Sequence, residues 1–187
     1  MNFMSLNING LGKGDRKKIW LKETIEKQQC SFICLQETRV ADSRLVDISG
    51  MWGSDNYEIE FVNPTGRSGG IISVWDPNIF TKSNVTSSRN YLAITGKWKG
   101  VSNQVTIANV YGPQSRSDKK KLWSDLIELK RNTPGIWIVL GDFNAVRYAH
   151  ERINSSFCQS TAKDFKNFIA KADLQEFNTG GRKFTYM

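Results

Sequence analysis

Ser31-Phe32-Ile33-Cys34-Leu35-Gln36 holds an unbroken apolar run, Phe32 to Leu35, between polar neighbours. A strand covered on one face alternates apolar with polar residues, whereas a strand covered on both faces reads continuously apolar. Upstream, Phe3, Met4, Leu6 and Ile8 form a short strand that ends at Asn9-Gly10. Gly10, Gly12 and Gly14 then supply a flexible turn. Asp15 to Gln28 fits a helix, with Ile19, Trp20, Leu21 and Ile25 at loosely helical spacing. Strand, helix, strand opens an α/β fold.

Downstream the pattern changes. NYEIEF, GGIISVW, YLAITGKW and QVTIANVY are short runs rich in β-branched and aromatic residues, split by Asn-Pro, Asp-Pro-Asn and Lys-Gly breaks. They read as antiparallel strands. Val101, Val105 and Ile107 share one parity, which Asn109 continues; Ala108 and Val110 take the other. Ser117 to Lys130 fits a second helix, striped by Leu122, Leu126 and Leu129 with Trp123 and Ile127 beside them. Thr133-Pro134-Gly135 ends it. Ile136 to Leu140 is a further continuous strand, and Ser160 to Ala172 a third helix with Ser160 as its N-cap. The final KFTYM reads as the start of a strand.

A chain of 187 residues suits a single domain, here spanning 1–187, with enough core to need no disulfides. Cys30, Cys34 and Cys158 lack the spacing of a disulfide scaffold or a structural zinc site. The single histidine, His150, excludes a multi-histidine metal site within the chain. No apolar stretch reaches the roughly 18 residues of a membrane span. The first residues carry no basic segment before an apolar run, so no secretory signal is expected. The +8 net charge favours polyanionic partners, although a lysine-rich solvated surface accounts for it equally well.

Four places repeat one relation, a hydrophobic strand delivering polar groups at its C-terminal end. They are Asn7 and Asn9, Glu37, Asn109 with Tyr111, and Asp142 with Asn144. Carboxylates there suit a hard divalent cation, whose ligands are oxygens. Two carboxylates with amide and phenol donors also suit a phosphate ester: one holds the metal, another accepts a proton from water, and the neutral donors bind the non-bridging oxygens. Each residue also has a plain structural role open to it. Asn7 and Asn9 can close the turn before Gly10, Glu37 can pair with Arg39, Asp142 can cap a turn and Tyr111 can be a half-buried strand end.

The spelling of these segments adds a resemblance. Asn7-Ile8-Asn9-Gly10-Leu11, Leu35-Gln36-Glu37-Thr38-Arg39, Gly69-Gly70-Ile71, Asn109-Val110-Tyr111-Gly112-Pro113 and Gly141-Asp142-Phe143-Asn144 occur in the order of the endonuclease/exonuclease/phosphatase superfamily (DNase I-like). Within it the chain looks closest to the endonuclease domain of plant LINE-type non-LTR retrotransposons. The resemblance implies a four-layer α/β sandwich, two mixed β-sheets flanked by helices, and Mg²⁺-dependent hydrolysis of DNA phosphodiesters, with Mn²⁺ as an alternative metal. It implies Glu37 as principal metal ligand with Asn7 beside it, Tyr111 and Asn144 on the phosphate, and Asp142 on the attacking water. Arg39 and Arg116 follow these motifs closely and are candidate contacts to DNA phosphates. Lys119 to Lys121 is disfavoured by the helix dipole where it stands, which phosphate binding would explain, although a solvated face is the simpler reading. An abasic-site repair endonuclease would use the same motifs. The partner implied is DNA and not a membrane, in an intracellular setting, nuclear for a functional copy.

The resemblance also implies a Ser-Arg-(Leu/Ile)-Asp strand and a Ser-Asp-His triplet that this sequence does not contain. His150, in the polar stretch Arg147 to Arg152, reads as an ordinary exposed residue rather than a replacement. The expectation is therefore a C-terminally truncated fold missing its last strands, with an uncovered edge open to association. Glu37 would keep a weak metal site, and the nuclease activity would be low or lost, leaving a nucleic-acid-binding remnant.

Overall fold

The structure, a computed structural model, describes residues 1–11, 15–66, 68–152 and 156–177. Gly12 and Gly14 of the anticipated turn, Arg67 and the KFTYM segment lie outside the described residues. In chain order the elements are β1 (Phe3–Asn7), α1 (Asp15–Gln28), β2 (Phe32–Gln36), α2 (Ile48–Trp52), β3 (Glu58–Val62), β4 (Ile71–Trp75), β5 (Phe80–Ser88) and β6 (Tyr91–Trp98). They continue with β7 (Gln104–Tyr111), α3 (Arg116–Asn132), β8 (Ile136–Asp142) and α4 (Gln159–Lys171). Two compact units result: Met1–Tyr111 with Gly135–Asp142, and Gly112–Pro134 with Phe143–Met187.

The first unit holds two four-stranded mixed sheets, ordered β1-β2-β4-β3 and β5-β6-β7-β8. β1 runs parallel to β2, and β7 parallel to β8; the other pairings are antiparallel. The α/β class and the antiparallel middle strands are as the sequence predicts. The continuous apolar run of β2 has the expected cause. Ile33 and Leu35 pack into a cluster with Leu21 and Ile25 of α1 and Ile48 and Met51 of α2. Phe32 and Cys34 point the other way, into a cluster with Leu92, Ile94, Val105 and Ile107 of the second sheet. β4 divides likewise, with Ile72 and Val74 towards the helices and Ile71 and Trp75 between the sheets. The aromatic centre of this sandwich stacks Phe32 on Trp75 at 5.4 Å, with Phe80 edge-on to both.

A polar link crosses that apolar layer. Gln36 Nε2 donates to Asn109 Oδ1 at 2.7 Å, and Asn109 Nδ2 donates to the Ile72 carbonyl at 3.0 Å and to Ser73 Oγ at 3.1 Å. Both amides are buried, Asn109 completely. Asn109 keeps the inward parity of Val105 and Ile107 but serves the sandwich rather than the solvent edge.

β5 is absent from the sequence reading. Its residues FTKSNVTSS are mostly exposed and it pairs only with β6, so it needs no apolar face. The register shift between Lys82 and Asn84, and the Lys82–Glu60 ion pair at 2.6 Å, suit an edge strand that must not recruit another chain. The short helix α2, also unforeseen, is capped by the Asp47 side chain, which accepts from the Gly50 N–H at 3.0 Å.

In the second unit α3 is capped by Ser115, and α3 and α4 meet through Trp123, Phe165 and Phe168, with Phe143 against Trp123 and Phe165. Two expectations are corrected here. Lys119 is buried, its ammonium donating to the Gln114 carbonyl at 3.1 Å, so it is not part of a solvated face. The N-cap of α4 is Cys158, not Ser160: Thr161 Oγ1 donates to its sulfur at 3.3 Å, and Ser160 Oγ lies at the same distance.

All three cysteines are free thiols in different surroundings. Hydrogen bonds from Ser160 and Thr161 pull the exposed Cys158 thiol down to about 6, whereas burial pushes Cys34 up to about 12. Iodoacetamide at pH 7 will alkylate Cys158 first in the native protein and Cys34 only after unfolding, as read by mass spectrometry. Asn109→Ala, which removes one acceptor of the Gln36 amide and the bonds of Asn109 to β4, will lower the unfolding free energy by about 1–3 kcal/mol in a urea titration.

Candidate active site

Parallel strands end on the same edge of a sheet. In register, Asn7 of β1 stands opposite Gln36 of β2, and Tyr111 of β7 opposite Asp142 of β8. Asn7, Tyr111 and Asp142 keep the parity of residues that pack between the sheets, Phe3 in β1, Val105 and Ile107 in β7, and Ile138 and Leu140 in β8. The two parallel pairs therefore present their last inward side chains to one another. Asn7 Nδ2 donates to Asp142 Oδ2 across the sheets at 2.7 Å. Asp142 completes β8 rather than capping a turn beyond it.

Glu37 follows directly on β2. Its side chain is 15% exposed, and it is ion-paired and hydrogen-bonded by Arg39. Glu37 and Arg39 both have left-handed backbone, φ 56° and 53°. Neighbouring backbone holds them there. The Gly10 N–H donates to the Glu37 carbonyl at 2.7 Å and Leu11 N–H to Thr38 at 2.9 Å. From the other side, Thr38 N–H donates to the Gly70 carbonyl at 3.2 Å and Arg39 N–H to Gly69 at 3.0 Å. Gly70 is required at φ +88°, where an added Cβ would collide with Thr38 Oγ1. Among the described residues six non-glycines have positive φ, and Asn9, Glu37, Arg39 and Asn144 account for four. The other two, Gln29 and Asp173, simply end helices. The strain is concentrated in the loops that carry the candidate side chains.

Tyr111 is held in its neutral form. Burial, then the charges of Glu37 and Asp142 and a hydrogen bond to Glu37, push its phenol up to about 12 against the smaller opposing pull of Arg39. It is a hydrogen-bond donor across the physiological range. Asn7 Oδ1 accepts from the Asn9 N–H at 3.0 Å, so Asn7 both closes the turn and holds Asp142.

Lys17 was not anticipated. Its ammonium donates to three successive carbonyls, Ile8 at 2.9 Å, Asn9 at 3.1 Å and Gly10 at 2.7 Å, and so pins the loop behind Asn7. The available signal was a lysine in the first turn of a helix, where the dipole disfavours it unless the side chain has other work. Asn144 and Arg116 belong to the second unit, where Asn144 Nδ2 donates to the Gly112 carbonyl at 2.7 Å and Arg116 Nε to Asp164 Oδ2 at 2.7 Å.

The donor set fits Mg²⁺. It is all oxygen, the Glu37 carboxylate and the Asn7 amide oxygen, with the Asp142 carboxylate hydrogen-bonded to Asn7. No group of three or more His, Cys, Asp or Glu forms a cage among the described residues. That sparseness is what Mg²⁺ tolerates, since it keeps waters and takes substrate phosphate oxygens alongside one or two carboxylates.

The Endonuclease/Exonuclease/phosphatase family matches residues 4–180, nearly the whole chain. The chain belongs to that family. Its fold is shared by the AP endonuclease LMAP of Leishmania major, at 16% identity and a TM-score of 0.71 over 91% of this chain and 66% of LMAP. The APE2 catalytic domain of Xenopus laevis gives 18% identity and 0.66 over 91% and 67%. TDP2 of Caenorhabditis elegans gives 18% and 0.58 over 77% and 48%. The chain thus spans about two thirds or less of each. This member of the Endonuclease/Exonuclease/phosphatase family resembles metal-dependent phosphoesterases and nucleases. Among its described residues no helix is long and apolar enough to cross a membrane.

The raised phenol has a consequence for stability. Unfolded chain releases a tyrosine proton near pH 10, whereas folded Tyr111 holds it to about 12. The folded state binds more protons in that interval, so its stability is complete below about pH 10 and falls as pH rises towards 12. Urea unfolding at pH 8, 10 and 11 will show that decline, and Tyr111→Phe will make it shallower.

Proposed function

We propose that this protein hydrolyses phosphodiester bonds in DNA with Mg²⁺, using Glu37, Asn7, Tyr111 and Asp142. The observation that carries the reading is the pairing of two parallel strand ends from two sheets, which sets two carboxylates beside an amide and a neutral phenol. Glu37, with the Asn7 oxygen beside it, would hold the metal. Bound Mg²⁺ supplies positive charge to the phosphoryl oxygens. Asp142, aimed by its hydrogen bond from Asn7, accepts the proton of the attacking water. Tyr111 donates to a non-bridging oxygen, a role its raised pKa preserves. Arg39 balances Glu37 and offers its guanidinium to the phosphate.

Incision at abasic sites is the substrate reading favoured by likeness, since LMAP and a protein of Archaeoglobus fulgidus, both matched over 91% of this chain, are called AP endonucleases. Nicking of intact DNA in the manner of a LINE-type retroelement is the second reading, favoured by the spelling of the five motifs from Asn7 to Asn144.

A duplex oligonucleotide with one tetrahydrofuran abasic site and a supercoiled plasmid, each with Mg²⁺, separate the two. The expected result is incision of the abasic duplex well above plasmid nicking. Glu37→Gln should bring both to background, and Asp142→Asn should slow incision by a factor on the order of 10²–10⁴. Plasmid nicking without abasic preference favours the retroelement reading. DNA binding with no Mg²⁺-dependent cleavage of either, or cleavage unchanged in Glu37→Gln, would overturn the proposal.

A further inference from the structure

The stretch Arg147-Tyr148-Ala149-His150-Glu151-Arg152 plays no part in the hydrolytic site, yet it is firmly built. It forms one turn of 3₁₀ helix, Ala149–Glu151, with no buried residue. The Glu151 carboxylate accepts from the backbone N–H of Arg147 at 2.7 Å and of Tyr148 at 3.2 Å, and from the Arg147 guanidinium at 3.0 Å. Arg147 also pairs with Glu176. These are charge-assisted bonds, the stronger kind, spent on a surface loop.

What the braced loop displays is a pair of rings. Tyr148 is 47% exposed and His150 is exposed. Their centroids lie 5.5 Å apart with planes 10° from parallel, an offset stack. From α4, Lys166 Nζ stands 3.9 Å from the centre of the Tyr148 ring, and the Arg147 guanidinium carbon 5.7 Å. Lys166 has no carboxylate partner among the described residues.

Covering a core does not explain two rings that face solvent. An acidic peptide would be served by the cations alone, without parallel rings, and a lipid surface would call for a broader apolar face. Flat faces beside the Lys166 ammonium match a base attached to its phosphate, because every base offers a π face and every nucleotide a negative charge. The ring must be accessible, so the base must be unpaired.

We infer that Tyr148 and His150, with Lys166 beside them, form a stacking platform for an unpaired base of single-stranded DNA. This platform lies in the second unit and works without hydrolysis, so it stands or falls separately from the Glu37 site.

The test is fluorescence anisotropy in EDTA, where no cleavage occurs, with a labelled dT oligonucleotide and a base-free oligonucleotide of the same length and charge. The native protein should bind the dT strand several-fold more tightly than the base-free strand. Tyr148→Ala and His150→Ala should each weaken dT binding about fivefold or more and leave base-free binding unchanged. Tyr148→Phe should retain the preference, and Lys166→Gln should weaken both strands. Among the described residues His150 makes only the ring contact, so His150→Ala carries the test if Tyr148→Ala fails to fold by circular dichroism. Equal native affinity for the two strands, or an unchanged preference in folded alanine variants, overturns the platform.

Discussion

The hydrogen bond from Gln36 to Asn109 sets how the two sheets of the first unit meet. Both amides are buried within the apolar layer between the sheets, so a register that parted them would cost each a hydrogen-bond partner in a low-dielectric interior. Asn109 also reaches β4 through Ile72 and Ser73. One side chain of β7 thereby locates β2 and β4 of the facing sheet. Glu37 comes immediately after Gln36, and Tyr111 lies two residues beyond Asn109. The tie that aligns the sheets therefore aligns the candidate site.

Beyond that tie the site concentrates strain and charge. Glu37 and Arg39 take left-handed backbone, which ordinary side chains avoid, and hydrogen bonds from the Gly10 loop and to the Gly69-Gly70 loop hold them in it. Lys17 braces the same loop from behind. Two carboxylates close to one phenol make that phenol reluctant to ionise, so the negative groups themselves secure a neutral donor among them. Preorganised polarity of this kind suits a reaction in which charge develops on phosphoryl oxygens. The second unit is built differently, with an aromatic cluster around Trp123 and a braced, cation-flanked pair of rings at its surface.

Much of this was legible in the residues. Continuous apolar runs announced β2 and β8, helical stripes located α1, α3 and α4, and polar residues at strand ends marked Asn7, Glu37, Tyr111 and Asp142. The failures have physical causes. β5 is an edge strand whose polar residues carry no burial signal. Cys158 stands at the N-cap of α4 without a side-chain capping bond, a position that no propensity argument assigns to cysteine. Lys119 reads as a surface charge but bends back to a carbonyl. His150 was expected to be an exposed residue, which it is, but its partner ring two residues away is not visible as a stack in one dimension.

The order of residues alone determined the α/β class, the strand ends that bear oxygen donors, and the family resemblance, because these follow from periodicity and local spelling. Only the tertiary structure decided that Asn7 meets Asp142 across 135 positions of sequence, that Asn109 is a buried pin, and that Asn144 and Arg116 hold other partners. Those outcomes depend on which faces of which strands are brought together, and pairing between distant segments is set by the packing of the whole sandwich rather than by any local pattern.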